Sequence, residues 1–117
     1  MLYVYNFGFG CELYSNGKLR YSGPWENGEI HCESGMIFDS NGIVGFIGKQ
    51  VRGKREGYCS TFDEDGQPIF VGYYQKDIPF GDGKEYYSGT GVIEFEGIFR
   101  GTNMHGPNCK EYHPNGV

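Results

Sequence analysis

Alanine is absent from this chain of 117 residues and leucine occurs three times. The residues that form helix most readily are therefore missing, while each of the 21 glycines would disfavour a helix by ~1 kcal/mol. A helical bundle is excluded. Long apolar runs are also missing: the longest, Met1 to Tyr5, falls far short of the ~18–20 residues that cross a bilayer as a helix. The first residues carry no basic region and are interrupted by Asn6 and Gly8, so they do not resemble a secretory signal. No Asn-x-Ser/Thr acceptor and no Cys-x-x-Cys pair occur. Positive charge is in short supply, with 10 Lys and Arg against 15 Asp and Glu and a net charge of -5. The chain as a whole should repel nucleic acid and anionic membranes.

What is present narrows the class further. A hydrophobic content of 38% with 17% aromatic residues is too much apolar surface for a disordered linker. The glycine gaps are irregular, which excludes a collagen-like chain. The length predicts one domain spanning 1–117. An all-β chain with a turn about every dozen residues fits these constraints.

Two interleaved series share one period. An aromatic-x-Gly unit recurs as Tyr21-Ser22-Gly23, Phe46-Ile47-Gly48, Phe70-Val71-Gly72 and Phe95-Glu96-Gly97, at spacings of 25, 24 and 25 residues. A large apolar residue four before a glycine recurs as Leu13/Gly17, Phe38/Gly42, Phe62/Gly66, Tyr87/Gly91 and Tyr112/Gly116, at 25, 24, 25 and 25. The shared one-residue deletion ties the two series to a single structural repeat. Boundaries follow as a half repeat over 7–20 and repeats over 21–45, 46–69, 70–94 and 95–117. Asn-Gly or Asp-Gly closes a hairpin at Asn16-Gly17, Asn41-Gly42, Asp65-Gly66 and Asn115-Gly116, because these dipeptides accept positive φ. A second set of turns falls at Asn27-Gly28, Arg52-Gly53, Lys76-Asp77 and Gly101. Between turns the alternation Tyr21/Gly23/Trp25, Phe70/Gly72/Tyr74 and Phe95/Gly97/Phe99 has period 2, so aromatic, glycine and aromatic share one strand face. The central glycine leaves room for a neighbouring ring.

With Phe70-Val71-Gly72-Tyr73-Tyr74, Gly81-Asp82-Gly83 and Tyr86-Tyr87, the chain resembles an array of MORN repeats over about residues 7 to 117. Departures are Gln50 where an aromatic is expected, loss of the second glycine of Gly-x-Gly in the repeats from Phe46 and Phe95, and Gln67-Pro68 after Asp65-Gly66. Residues 14 to 23, Tyr-Ser-Asn-Gly-Lys-Leu-Arg-Tyr-Ser-Gly, are similar to the bacterial variant of the family found in YwqK-like antitoxin proteins. The resemblance implies antiparallel β-hairpins stacked into one elongated, curved single sheet. Its ends would be open strand edges able to pair with another copy, and the chain is expected to be either a fragment or covered at its ends.

Several constellations imitate reactive or metal sites. Cys59 and Cys109 hold the same position two repeats apart, roughly 19 Å at ~4.8 Å per strand, beyond the ~7 Å that a disulfide spans. Cys11 falls on the other sheet face, and Cys11, Cys32, Cys59 and Cys109 are expected as free thiols in a reducing, cytoplasmic setting. His105, Cys109 and His113 sit ~13 Å apart per four-residue step on a strand, too far to share a zinc ion. His31 and Cys32, as strand neighbours, should face opposite sides. Gly48-x4-Gly53-Lys54 has Arg55 where a phosphate loop needs Ser or Thr. Asp39-Ser40-Asn41-Gly42 and Asp63-Glu64-Asp65-Gly66 lack the closing Glu of a calcium loop and fit hairpin turns. No metal, cofactor or catalytic residue is expected.

The expected contact surface is the ring stripe Tyr21, Trp25, Phe46, Phe70, Tyr74, Phe95 and Phe99. In a single-layer sheet some rings should stay accessible even as they pack between repeats, and Tyr and Trp favour binding hot spots. The expectation is a non-enzymatic interaction module, binding a protein partner or its own copy. Three alternatives stand beside it. An acidic antitoxin or immunity protein would mask a basic toxin. A phosphoinositide-binding adaptor would use Lys49, Arg52, Lys54 and Arg55, since the resemblance implies acidic-lipid binding and each charge near a membrane is worth about 1 kcal/mol. The array could also be an accessory region of a larger enzyme, because the family occurs fused to kinase and methyltransferase domains.

Overall fold

The structure, a computed structural model, describes residues 2–6, 8–101 and 103–111, with side chains described for 8–101. The described residues contain eleven strands and no helix. In chain order the strands are β1 Leu2–Asn6, β2 Phe9–Leu13, β3 Leu19–Glu26, β4 Glu29–Ile30, β5 Cys32–Phe38 and β6 Val44–Val51. The remainder are β7 Lys54–Phe62, β8 Pro68–Gln75, β9 Ile78–Tyr86, β10 Ile93–Arg100 and β11 Asn103–Glu111. Every strand pairs antiparallel with its sequence neighbour, except that β4 and β5 do not pair with each other. The sheets are open, with β1 at one end of the meander and β11 at the other.

The expected single sheet is corrected to two, one of four strands (β1 to β4) and one of seven (β5 to β11). The division falls at His31, and Pro24 supplies the reason. The His31 N–H donates to the Pro24 carbonyl at 3.3 Å, but proline has no N–H to return the bond. The ladder between β3 and the strand opposite it stops there. The sheets remain laced together, since the Gly53 N–H donates to the Ile30 carbonyl at 2.8 Å.

Two kinds of turn alternate along the array. Five-residue turns at Tyr14–Lys18, Asp39–Ile43 and Asp63–Gln67 are each closed by a bond of 2.8 Å from the first N–H to the fifth carbonyl. The Asp39 carboxylate accepts the Asn41 and Ile43 N–H groups, and the Asp63 carboxylate accepts those of Asp65 and Gln67, all at 2.9 Å. These aspartates are turn residues, as the sequence implies. At the other edge, Asn27/Gly28, Arg52/Gly53 and Lys76/Asp77 have φ of 53°/78°, 52°/77° and 49°/74°. Positive φ at both central residues is the geometry that matches the twist of hairpin strands.

The core lies on one sheet face. Phe46, Cys59, Phe70, Tyr74 and Phe99 form one buried cluster, and Tyr21, Trp25, Ile30 and Cys32 form another. Ile37 packs against both. Phe70 meets Tyr74 and Phe99 edge to face with centroids 5.2 and 5.1 Å apart, a geometry worth ~0.5–1.5 kcal/mol beyond area burial. Glycine makes the packing feasible. A Cβ on Gly83 would stand 2.6 Å from Phe70 Cζ and 3.3 Å from Phe99 Cδ1.

Candidate functional site

The ring stripe expected to meet a partner is mostly core. Tyr21, Trp25, Phe46, Phe70, Tyr74 and Phe99 are all buried, and Phe95 is half-buried against the same cluster. The expectation that the stripe offers an accessible surface is thereby corrected for six of its seven members. The physical reason is the glycine columns, which let each ring lie close to the backbone of the next strand. The Tyr21 hydroxyl is anchored as well, donating to the Pro24 carbonyl at 3.0 Å. Burial, reinforced by the adjacent Cys32 thiol, pushes its phenol far above the ordinary tyrosine value.

The exposed apolar groups lie on the opposite face. Strand alternation turns Tyr73 outward because its neighbours Phe70, Gly72 and Tyr74 are buried. Tyr58 pairs with Tyr73 across β7 and β8, and their rings meet edge to face at 5.2 Å. Tyr58 is 60% exposed, Tyr73 46%, Phe80 49% and Ile98 38%. A shallow groove of about 450 Å³ runs between Tyr58 and Ile98, with Asp82 and Lys84 in its lining. This apolar, charge-edged face was missed in the sequence reading, although the doubled Tyr73-Tyr74 signals it: consecutive strand residues cannot share a face.

The four basic residues do not act as one cation. Lys49 lies 3.5 Å from Glu33. Arg55 Nε donates to Asp77 Oδ1 at 2.7 Å, its Nη2 donates to the Asp77 carbonyl at 3.2 Å, and its guanidinium lies 4.5 Å above the Tyr74 ring. Burial works to raise the Asp77 carboxyl, but the Arg55 N–H groups and charge outweigh it and hold the carboxyl below its usual range. Arg52 is the first residue of the two-residue turn between β6 and β7, and Lys54 is the first residue of β7 after it. Two of the four charges thus already face carboxylates.

Other sequence candidates resolve into structural roles. Cys32 and Cys59 are buried and, like the half-buried Cys11, unbridged. The Cys32 thiol faces the Gly48 carbonyl at 3.9 Å, whereas His31 Nε2 faces Glu26 at 3.6 Å. Burial pushes the Cys59 thiol up, against the opposing effect of the Lys49 and Glu56 carbonyls it approaches. Gly48 lies inside β6, and Gly53 lies in the hairpin turn that follows. His105, Cys109 and His113 fall outside the residues whose side chains are described. Among the described residues, no three His, Cys, Asp or Glu side chains gather as metal ligands, and no helix is long and apolar enough to cross a membrane.

A polar cluster on the inner face was also missed. Glu12 is buried and ion-paired to Arg20, and Gln50 is 94% buried, being 6% exposed. Only the departure at Gln50 from the repeat pattern signals this cluster in the sequence. No protein-family model matches the chain, and no curated protein matches it significantly.

Proposed function

We propose that the chain is a MORN-type repeat array that acts as a non-enzymatic protein-interaction module, with the outer face around Tyr58 and Tyr73 as its contact surface. One observation carries this reading: Tyr58, Tyr73, Phe80 and Ile98 are exposed on the face opposite the core. Single exposed apolar residues are ordinary. A grouped patch with aromatic rings, bordered by charges, is the composition of an interface centre and rim. The partner is another protein or a second copy of this chain. The anionic-lipid reading is not carried forward, because Lys49 and Arg55 are ion-paired.

The test combines Tyr58→Ser with Tyr73→Ser. Both rings are largely solvent-facing, so the double variant should keep the far-UV spectrum of the parent. Sedimentation velocity over a concentration series reads self-association, and affinity capture from the native extract reads a heterologous partner. Loss of either association in a folded double variant supports the surface. Association of undiminished strength, or none by the parent in both measurements, overturns it.

A further inference from the structure

The inner face contains a row of cross-strand pairs beside the two-residue turns. Their register matches across repeats: Trp25 with Ile30, Gln50 with Arg55, Tyr74 with Pro79 and Phe99 with Met104. Three pairs join an aromatic to an apolar residue. The second pair alone is polar on both sides. A further difference accompanies it, since Cys59 stands opposite Gly72 and its Sγ would lie 2.7 Å from a Cβ on Gly48. The array therefore lacks one ring of its stack, in its middle.

Where that ring is missing there is an open, shallow recess of about 460 Å³. Phe46 and Ile37 supply apolar wall, and Arg20, Arg55 and Gln50 supply polar groups. Gln50 is the informative member. It is 6% exposed, yet its side-chain amide has no hydrogen-bond partner among the described residues, whereas Arg20 is held by Glu12 and Arg55 by Asp77. The amide atoms are not sealed from solvent, so they remain available to pair with a ligand that enters the recess. The charged lining is balanced, with Arg20 and Arg55 against Asp39 and Asp77, so the recess selects shape and hydrogen bonding over net charge.

We infer that this recess binds a planar aromatic ring with a polar edge, which takes the place of the array's missing ring and pairs with the Gln50 amide. The same chemistry is offered by a free phenol-type molecule and by a tyrosine side chain of a partner. The site is separate from the outer face, on the other side of the sheet.

The experiment uses the ¹⁵N-labelled full chain and follows by two-dimensional NMR, during titration, the Gln50 side-chain amide and the backbone amides of Gly45, Phe46 and Gly53 in the lining, the backbone signals serving also for the variants at residue 50. Probes are p-cresol, N-acetyl-L-tyrosinamide and N-acetyl-L-phenylalaninamide. Saturable shifts of the Gln50 amide with the two phenols, and about 5- to 10-fold weaker binding of the phenylalanine compound, are expected from loss of one hydrogen bond. Equal binding of both phenols identifies a free small molecule as the source, and a requirement for the flanking amides identifies a partner's side chain. Gln50→Phe supplies the ring from within and should abolish binding. Gln50→Met keeps the space without the amide and should reduce the preference for phenol to none, which keeps the proposal testable if the Phe variant fails to fold. Linear, unsaturated shifts overturn the proposal, as does unchanged phenol preference in Gln50→Met.

Discussion

Gly72→Ala isolates the close approach of two strands from backbone strain. Gly72 and Gly83 face each other across β8 and β9. A methyl group on Gly72 would lie 2.5 Å from Gly83 Cα, 2.6 Å from the Asp82 carbonyl oxygen and 3.1 Å from Phe70 Cε2. The first two contacts are backbone, so relief requires parting the ladder rather than rotating a side chain. Overpacking of this kind costs ~1–3 kcal/mol, and the upper end applies because the neighbours are fixed. Alanine recovers ~0.4–1 kcal/mol by restricting the unfolded chain. The net expectation is a loss of about 2 kcal/mol, out of a total stability of ~5–15 kcal/mol. At about 4 °C per kcal/mol, Tm should fall by about 8 °C. Gly66→Ala is the control, for its nearest neighbour is Ile43 Cγ2 at 3.9 Å, but its φ is +82°. Left-handed strain alone costs ~1–2 kcal/mol, lessened by the same unfolded-state term. Urea titrations followed by far-UV circular dichroism and by Trp25 fluorescence measure both variants. If Gly72→Ala is no more destabilising than Gly66→Ala, the packing argument fails.

Two further perturbations probe titration and reactivity. Asp77, whose carboxyl is held below its ordinary range by Arg55, contributes stability that is present above its unfolded-state value and disappears as pH falls through the folded-state value. Asp77→Asn should therefore flatten part of the acid limb of the stability curve, and an acid limb identical to the parent's would contradict the Arg55 coupling. Cys59 is 1% exposed with its thiol pushed up by burial, so iodoacetamide should modify it far more slowly than the half-buried Cys11 in the native protein. Peptide mapping by mass spectrometry reads the order, and equal rates at Cys11 and Cys59 would refute the buried assignment.

The hairpins were legible because turns are local. Gly42 and Gly66 carry the positive φ of their turns, and Asp39 and Asp63 complete the same turns with their own carboxylates. Alternation around Gly72 likewise reveals that Phe70 and Tyr74 share a face. It does not reveal which face is core. Phe70-Val71-Gly72-Tyr73-Tyr74 is apolar on both sides, and the buried side is chosen by the glycines of the neighbouring strands. Gly83 contributes to that choice from β9, eleven residues beyond Gly72. The basic run from Lys49 to Arg55 reads as one patch in sequence, but strand alternation and the hairpin turn send Lys49 to Glu33 and Arg55 to Asp77. Pro24 is visible in the sequence, whereas its place opposite His31 depends on the register of β3.

The sequence by itself determined an all-β chain with a repeat of about 25 residues and placed its turns, because missing alanine, frequent glycine and the φ preferences of Asn-Gly and Asp-Gly act over a few residues. Only the tertiary structure decided that the ring stripe is core, that the meander divides at His31, that Tyr58 and Tyr73 face outward, and that Gln50 lines a recess without a partner. Those outcomes depend on which strand lies beside which, in what register, and with what side chain opposite. Such pair relations join residues well separated in the chain, 11 positions apart for Gly72 and Gly83 and 22 for Arg55 and Asp77.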